Sequence, residues 1–422
     1  MFQNRHIVSA IEFGSSRIRV LIGESGEDGR LEVVGRGEAA SEGIVKGEIA
    51  NMEAAFDQLA IALEDADASS GGELNNSRII VIPVTGCGID SYQGVGTVFV
   101  KNNEQKVTED EKREAMNNAR VHPLENERNI INCAESFFIV DERLRLRHPI
   151  NQTAYRLDAH VHVIHGLSNR LENFRSLVRE SGYDDNVETV FAPLAAGNGI
   201  LAEEEHESGV LLVDLGAGVT EFLIEYNNGV MASGMLQVGF NHVLNDLGIG
   251  LDLPLESCRK MIEDGTLARL MQERCDYVDF PSATGKVRRI PLASFEIIIN
   301  QRLREIFEII RKKIKDPSIL GNLNSGAVLT GGGALFPPSS RILREVFDLS
   351  VRIGQPLDIG GAATGLENPR YSTVWGALKI ANFYSEISDL SGSPVKRLLN
   401  GVDGVWNKVR RAVWDFRGSF KV

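Results

Sequence analysis

Cysteine is scarce and scattered. Its four copies, Cys87, Cys133, Cys258 and Cys275, show no CxxC spacing, so neither a zinc site nor a disulfide framework is indicated. No apolar run is long enough to span a bilayer, and the N-terminus enters a strand-like stretch almost at once without a signal-peptide core, so a cytoplasmic chain is expected. Positive charge is in deficit: 45 Lys and Arg face 58 Asp and Glu, and the net charge of −13 argues against broad nucleic-acid binding. The deficit is uneven, because from Pro394 onward seven Lys/Arg oppose two Asp. What remains is ordinary globular material, 43% hydrophobic over 422 residues, enough for two to four domains.

The chain is organised around Leu211 to Ile224, LLVDLGAGVTEFLI. A buried-looking apolar run ends in Asp214, turns through Gly216, Ala217 and Gly218, and returns as a second strand. With almost no side chains at the tip, successive backbone N–H groups can close on an anion, and an acid at the strand end can hold a hydrated divalent cation. Taken alone, such a hairpin can equally be a tight turn. A second copy changes the weighing. Val8 to Ile22, VSAIEFGSSRIRVLI, aligns Glu12-Phe13-Gly14-Ser15-Ser16 with Asp214-Leu215-Gly216-Ala217-Gly218, 202 residues apart. An internal duplication of a phosphate hairpin predicts two like domains facing each other across a nucleotide.

Between and beyond the copies the pattern alternates helix and strand. Asn51 caps a helix with Phe56, Leu59, Leu63 and Ala66 on one face, and Ile79 to Val84 reads as a core strand. Gly86 to His162 differs in texture: strand-like pieces surround one helix opened by a Thr108–Glu111 capping box, which predicts an inserted small α+β subdomain made for contact. Its histidines, His122, His148, His160 and His162, with His165 just beyond, have no matched carboxylates and read as structural rather than metal-binding. A helix from Leu167 stops at Gly182, the strand ETVFAPLAAG follows, and past the second hairpin come a short helix, Gly239 to Leu247, and the helix of LESCRKMIEDG. Asp276 to Arg289 is a variable segment, and Phe295 to Ile314 is a long helix with a stripe of Ile299, Leu303, Ile306 and Ile310, halted at Asp316-Pro317. Ala327 to Phe336, AVLTGGGALF, then runs a strand into three glycines and on toward a helix, a place where a base or phosphate can rest.

Two phosphate hairpins followed by a strand and glycines resemble the actin, Hsp70 and sugar-kinase superfamily. The segments GIVKGEI, SGVLLVDLGAG, GAVLTGGGALFP, VRIGQPL and YSTVWGAL narrow the resemblance to the FtsA family of bacterial actin-like cell-division proteins, over essentially the whole chain. The resemblance implies an α/β, duplicated actin-like ATPase fold. Its parts are subdomain 1A from residues 1–85 and 163–206, the inserted α+β subdomain 1C from 86–162, subdomain 2A from 207–239 and 315–387, and subdomain 2B from 240–314. A linker, 388–401, and a C-terminal amphipathic membrane-targeting helix, 402–422, complete it. ATP and Mg2+ are expected in the central cleft. By position, the first phosphate loop falls on Gly14, Ser15, Ser16 and Arg17, the second on Gly216, Ala217, Gly218, Val219 and Thr220, and the adenosine loop on Gly331, Gly332 and Gly333. Glu12 and Asp214 are the metal-side acids, and Glu256, Arg259 and Lys260 match the helix bordering base and ribose.

The sequence departs from the family in places. Arg17 stands where lysine is common, Ala217 for a glycine and Glu221 for an aspartate. APLAAGNG, around Pro193 to Gly199, offers no Gln or Glu to position an attacking water, so nucleotide binding is better supported than turnover. The resemblance further implies self-association into filaments, other divisome partners, and docking of the C-terminal peptide of the tubulin-like division protein FtsZ on subdomain 2B. Lys286, Arg288, Arg289, Arg302 and Arg304 are the candidate contacts there. A PilM-like pilus-assembly platform and a sugar-kinase-type enzyme are the alternatives.

In the tail, Val402, Val405, Trp406, Val409, Val413, Phe416 and Phe420 share one helical arc, with Lys408, Arg410, Arg411 and Arg417 outside it and Trp414 off the stripe. Such a helix can pack on its own domain or lie on a membrane. The Ser/Gly/Pro linker, the tryptophans and the local positive charge favour anionic lipid at the cytoplasmic face of the cell membrane.

Overall fold

The computed structural model describes residues 6–26, 30–121, 124, 127–183, 186–281, 287–362 and 364–391. Two sheets of one design form its halves. In the first, the order is Val187–Phe191, Ser77–Val84, His6–Phe13, Arg17–Ser25, Leu31–Ala40, with the short Gly360–Gly361 at the edge. In the second it is Val351–Ile353, Ala327–Thr330, Val210–Leu215, Thr220–Tyr226, Gly229–Leu236. Each sheet opens with an antiparallel meander of three strands and adds two parallel ones beside the first. The central strands HIVSAIEF and VLLVDL are apolar on both faces because helices cover both, and so they read as continuous runs rather than alternations.

The inserted unit is a four-stranded antiparallel sheet in the order Asp90–Phe99, Arg156–Leu167, Arg128–Val140, Leu144–Leu146. The helix Glu109–Arg120 closes onto it, its capping box formed by Thr108 and Glu111 as the sequence leads one to expect. Gly94 and Gly96 make the approach possible, since a Cβ at either would lie 2.1 and 2.0 Å from the carbonyl oxygens of Ala119 and Ala115. The boundary expected between residues 162 and 163 falls inside the long strand Arg156–Leu167. Val163 packs in the insert's own core and Ile164 in the core of the first half.

Three other expectations change. Ala192–Ile200 is a helix, not a continuation of the preceding strand; Pro193 sits in its first turn, where the missing N–H costs nothing. The stretch expected as merely variable contributes two paired strands, Tyr277–Pro281 and Val287–Pro291. The grouping of 315–387 with the second hairpin holds only in part. The last helix, Ser372–Ser391, packs Val374, Trp375, Leu378 and Ala381 into the core of the first half and runs into the stretch expected as linker. Its small residues explain the choice of partner: a Cβ on Gly376 would stand 1.7 Å from the carbonyl oxygen of Ala195, so the two helices touch backbone to backbone.

The second half adds the helices Phe240–Leu251, Leu255–Glu263, Leu292–Lys313 and Pro337–Phe347, with the expected stripe of Ile299, Leu303, Ile306 and Ile310 fully buried. Among the described residues no helix is long and apolar enough to cross a membrane. The tail residues Trp406, Lys408, Val409, Arg410, Arg411, Val413, Phe416 and Phe420, and Lys286, lie outside the described residues.

Candidate functional site

The two hairpin tips close in the same way. Gly14 N–H donates to the Arg17 carbonyl at 3.1 Å, and Gly216 N–H to the Val219 carbonyl at 3.0 Å. The tips meet across the middle of the molecule, where a Cβ on Gly218 would come within 2.4 Å of Ser15 Oγ. They line one cavity of about 380 Å³, within the size range of small-molecule sites. Its wall also holds the glycines of the third motif. Gly331, at φ 81° in the left-handed region, lies so near Asp214 that a Cβ there would be 2.2 Å from Oδ1. The Phe240–Leu251 helix is fastened to the second tip through Phe240 N–H to the Gly216 carbonyl and Asn241 N–H to the Ala217 carbonyl, both at 2.9 Å.

Most of the residues singled out in the sequence line this cavity: Glu12, Gly14, Ser15, Ser16, Arg17, Asp214, Gly216, Ala217, Gly218, Val219, Arg259, Gly331, Gly332 and Gly333. Three do not. Thr220 is buried, its hydroxyl donating to the Val238 carbonyl at 2.7 Å, which fixes the base of the hairpin. Glu256 and Lys260 are exposed on the Leu255–Glu263 helix, because Arg259, Ile262 and Glu263 occupy the face turned to the cavity.

Sequence reasoning left out Arg19, Glu38, Thr373 and the role of Glu221, all of which line the cavity. A signal existed for two of them. Arg19 and Glu221 occupy the same place in the duplication, each seven residues past the acid and directly across the hairpin from it.

Electrostatically the floor is acidic. Burial pushes Glu12 up to about 7, an effect opposed by the adjacent Arg19 and reinforced by Asp214. Burial also raises Asp214, against a hydrogen bond from the Thr373 hydroxyl at 3.0 Å, and it raises Glu221 well above the usual carboxylate range, helped by the charge of Asp214. Glu12 Oε2 and Glu221 Oε1 are buried without a hydrogen-bond partner. Among the described residues no group of three His, Cys, Asp or Glu side chains could hold a metal alone. A nucleotide-borne Mg2+, however, needs only one or two carboxylates, with water and phosphate oxygens supplying the rest. Glu12 and Asp214 fit that requirement.

The arginines proposed for a peptide partner are already engaged. Arg289 pairs with Asp279 at 2.9 Å, Arg302 with Asp246 at 2.5 Å and with Glu305, Arg304 with Glu345, and Arg288 with Asp252 at 3.6 Å. The insert's histidines have packing roles as well: His160 stacks on Phe137 with ring centroids 4.2 Å apart, and His162 lies buried against Ser233.

A family model described as "Cell division protein FtsA" matches residues 211–376, and one described as "SHS2 domain inserted in FTSA" matches residues 86–165. The chain is 28% identical over 399 residues to the cell division protein FtsA of Borreliella burgdorferi, covering 93% of this chain and 96% of that one. It is 27% identical over 384 residues to that of Neisseria meningitidis serogroup B (90% and 91%), and 26% identical over 380 residues to that of Bacillus subtilis strain 168 (90% and 84%). Among solved structures it is similar to the PilM-PilN type IV pilus biogenesis complex, with a TM-score of 0.58 and 13% identity over 89% of this chain and 98% of that one. It is also similar to MreB5 of Spiroplasma citri bound to ADP, with a TM-score of 0.53 and 14% identity over 92% and 99%. At such identities the structural likeness speaks to fold, and that fold is the duplicated actin-like one.

Proposed function

We infer that this chain, which belongs to the FtsA family of bacterial actin-like cell-division proteins, binds ATP between its two hairpins, self-associates into filaments at the inner face of the cytoplasmic membrane, and tethers FtsZ there. The observation that carries the nucleotide part is the pair of identically closed glycine turns facing each other across one cavity. In this reading the backbone N–H groups of Gly14 to Arg17 and of Gly216 to Val219 hold the phosphates. Glu12 and Asp214 take the metal side, and Gly331 to Gly333 with Arg259 border the nucleoside. Mg2+ supplies the counter-charge that lets a polyphosphate rest beside buried carboxylates. The helix Ala192–Ile200 brings no Gln or Glu to the cavity, so the site is read as binding nucleotide with weak or no turnover.

Asp214→Ala tests the site. Removing a buried acid that faces the metal is expected to weaken ATP binding roughly ten- to a hundredfold in a fluorescent-nucleotide titration. Equal affinities would end the assignment. The FtsZ peptide is assigned to the surface of residues 240–314. There a peptide carboxylate must displace resident acids from Arg288, Arg289, Arg302 or Arg304, and Val287, Tyr277 and Ile297 offer exposed apolar area. Filament contacts are assigned to the insert, and membrane attachment to the basic amphipathic tail.

A further inference from the structure

Laid over one another, the two hairpins differ in the charge of one row. Glu12, Arg19 and Glu38 are direct neighbours across three adjacent strands of the first sheet; in the second sheet the same row reads Asp214, Glu221 and Met235. An arginine in one copy therefore stands where the other has a glutamate. The Arg19 side chain is only 10% exposed. Its Nη1 lies 3.6 Å from Glu12 Oε1 and its Nη2 3.7 Å from Glu38 Oε1. The guanidinium sits 5.4 Å from the centre of the Tyr371 ring, whose hydroxyl donates to Glu38 Oε2 at 2.9 Å. A planar cation boxed between two carboxylates and an aromatic face is fixed in position, in a way a lysine ammonium would not be.

The box has a consequence for any polyphosphate that enters. Glu12 and Asp214 face the cavity as the metal-side acids, and a buried carboxylate that is to stay charged beside a polyphosphate needs a paired cation. Arg17, Arg259 and Arg370 also line the cavity, but Arg19 is the cation paired directly with a floor acid.

We propose that Arg19 is a positioning residue for the nucleotide's metal: it holds the Glu12 carboxylate toward the cavity, so that a single divalent cation suffices to admit a polyphosphate. This rests on the ATP reading of the cleft.

The experiment titrates Mg2+ against the full chain at a fixed concentration of a fluorescent ATP analogue. Arg19→Met is expected to raise the Mg2+ concentration for half-maximal nucleotide binding by about tenfold. Arg19→Lys, which keeps the charge, recovers part of that shift. In the double variant Glu12→Gln/Arg19→Met the midpoint is no higher than in Glu12→Gln alone, because the carboxylate that Arg19 positions is gone. Failure of the unaltered chain to bind the analogue at any Mg2+ concentration overturns the ATP reading itself. Binding by the unaltered chain with an unchanged midpoint in Arg19→Met, or full additivity in the double variant, overturns the role of Arg19 and leaves the ATP reading standing. If Arg19→Met does not fold, Glu38→Gln, which releases the outer end of the guanidinium, decides: a higher midpoint supports the proposal and an unchanged one overturns it.

Discussion

His162 shows how much a single side chain can reveal about a seam between units. The Gln93 side-chain amide donates to its Nδ1 at 3.3 Å, so the ring proton sits on Nε2 and is given to Ser233 Oγ at 2.8 Å. The ring thereby ties the insert to the strand Gly229–Leu236. Burial holds the imidazole neutral and pushes it down to about 3 from its ordinary 6.5. A folded value below the unfolded one means that the stability is fully present above pH 6.5 and is lost as pH falls from there toward 3. This contribution falls on acidification from pH 7 to 5, against the opposite one of Glu12 and Glu221, whose raised values add stability as pH falls, so the histidine's share is read from the difference in melting temperature between the unaltered chain and a variant. His162→Gln should change the slope of stability with pH by up to one proton's worth, about 1.4 kcal/mol per pH unit. An identical slope in the variant would place the proton uptake elsewhere.

At the scale of elements, what was legible depended on whether a pattern was local. The hairpins were readable because an acid, a glycine tip and two apolar runs lie within fifteen residues and occur twice, and the helix Leu292–Lys313 because its stripe repeats every three to four residues. Ala192–Ile200 was not, since Ala, Pro, Leu and Gly in a short buried run carry no period; its helical state is decided by what it packs against. The paired strands around residue 280 were hidden by polar, charged sequence. Arg19 was missed because its meaning lies in strand register, and Glu256 and Lys260 were misplaced because membership of a helix does not say which face is turned inward. The contact between Ala192–Ile200 and the last helix offers a test of packing at this scale. Gly376→Ala drives a methyl into the Ala195 carbonyl, which has no room to yield, and should cost about 1 to 3 kcal/mol or more in urea unfolding. Gly321→Ala, at a site with no atom within 4 Å, should stay within about 0.5 kcal/mol.

For the whole molecule, hydrogen bonds from Ser91 to the Ser233 carbonyl, Gln93 to Met231 and Ser136 to Val230 seat the insert on the outer strand of the second sheet. In the function proposed above, the tail attaches this body to a lipid surface. Several apolar side chains at about 1.5 to 3 kcal/mol each, with about 1 kcal/mol per basic residue near anionic lipid, exceed the ordering of the segment only narrowly. On the function proposed above, one tail is expected to bind reversibly and a filament firmly. Trp406→Glu should leave ATP binding intact and release the chain from anionic liposomes in a sedimentation assay. Pelleting by the variant, or indifference of the unaltered chain to lipid at low salt, would return the tail to the body of the protein. The helix Ser372–Ser391 raises a different matter, that of time. The first half of the fold is drawn from the first two hundred residues and from the helix Ser372–Ser391, so during synthesis its core waits, with the place of Trp375 unfilled, until that helix has left the ribosome. The second half needs no such late arrival. The part of the molecule translated first is thus the part completed last, and a nascent chain stalled before residue 372 exposes the apolar seat of that helix to whatever chaperone stands at the exit.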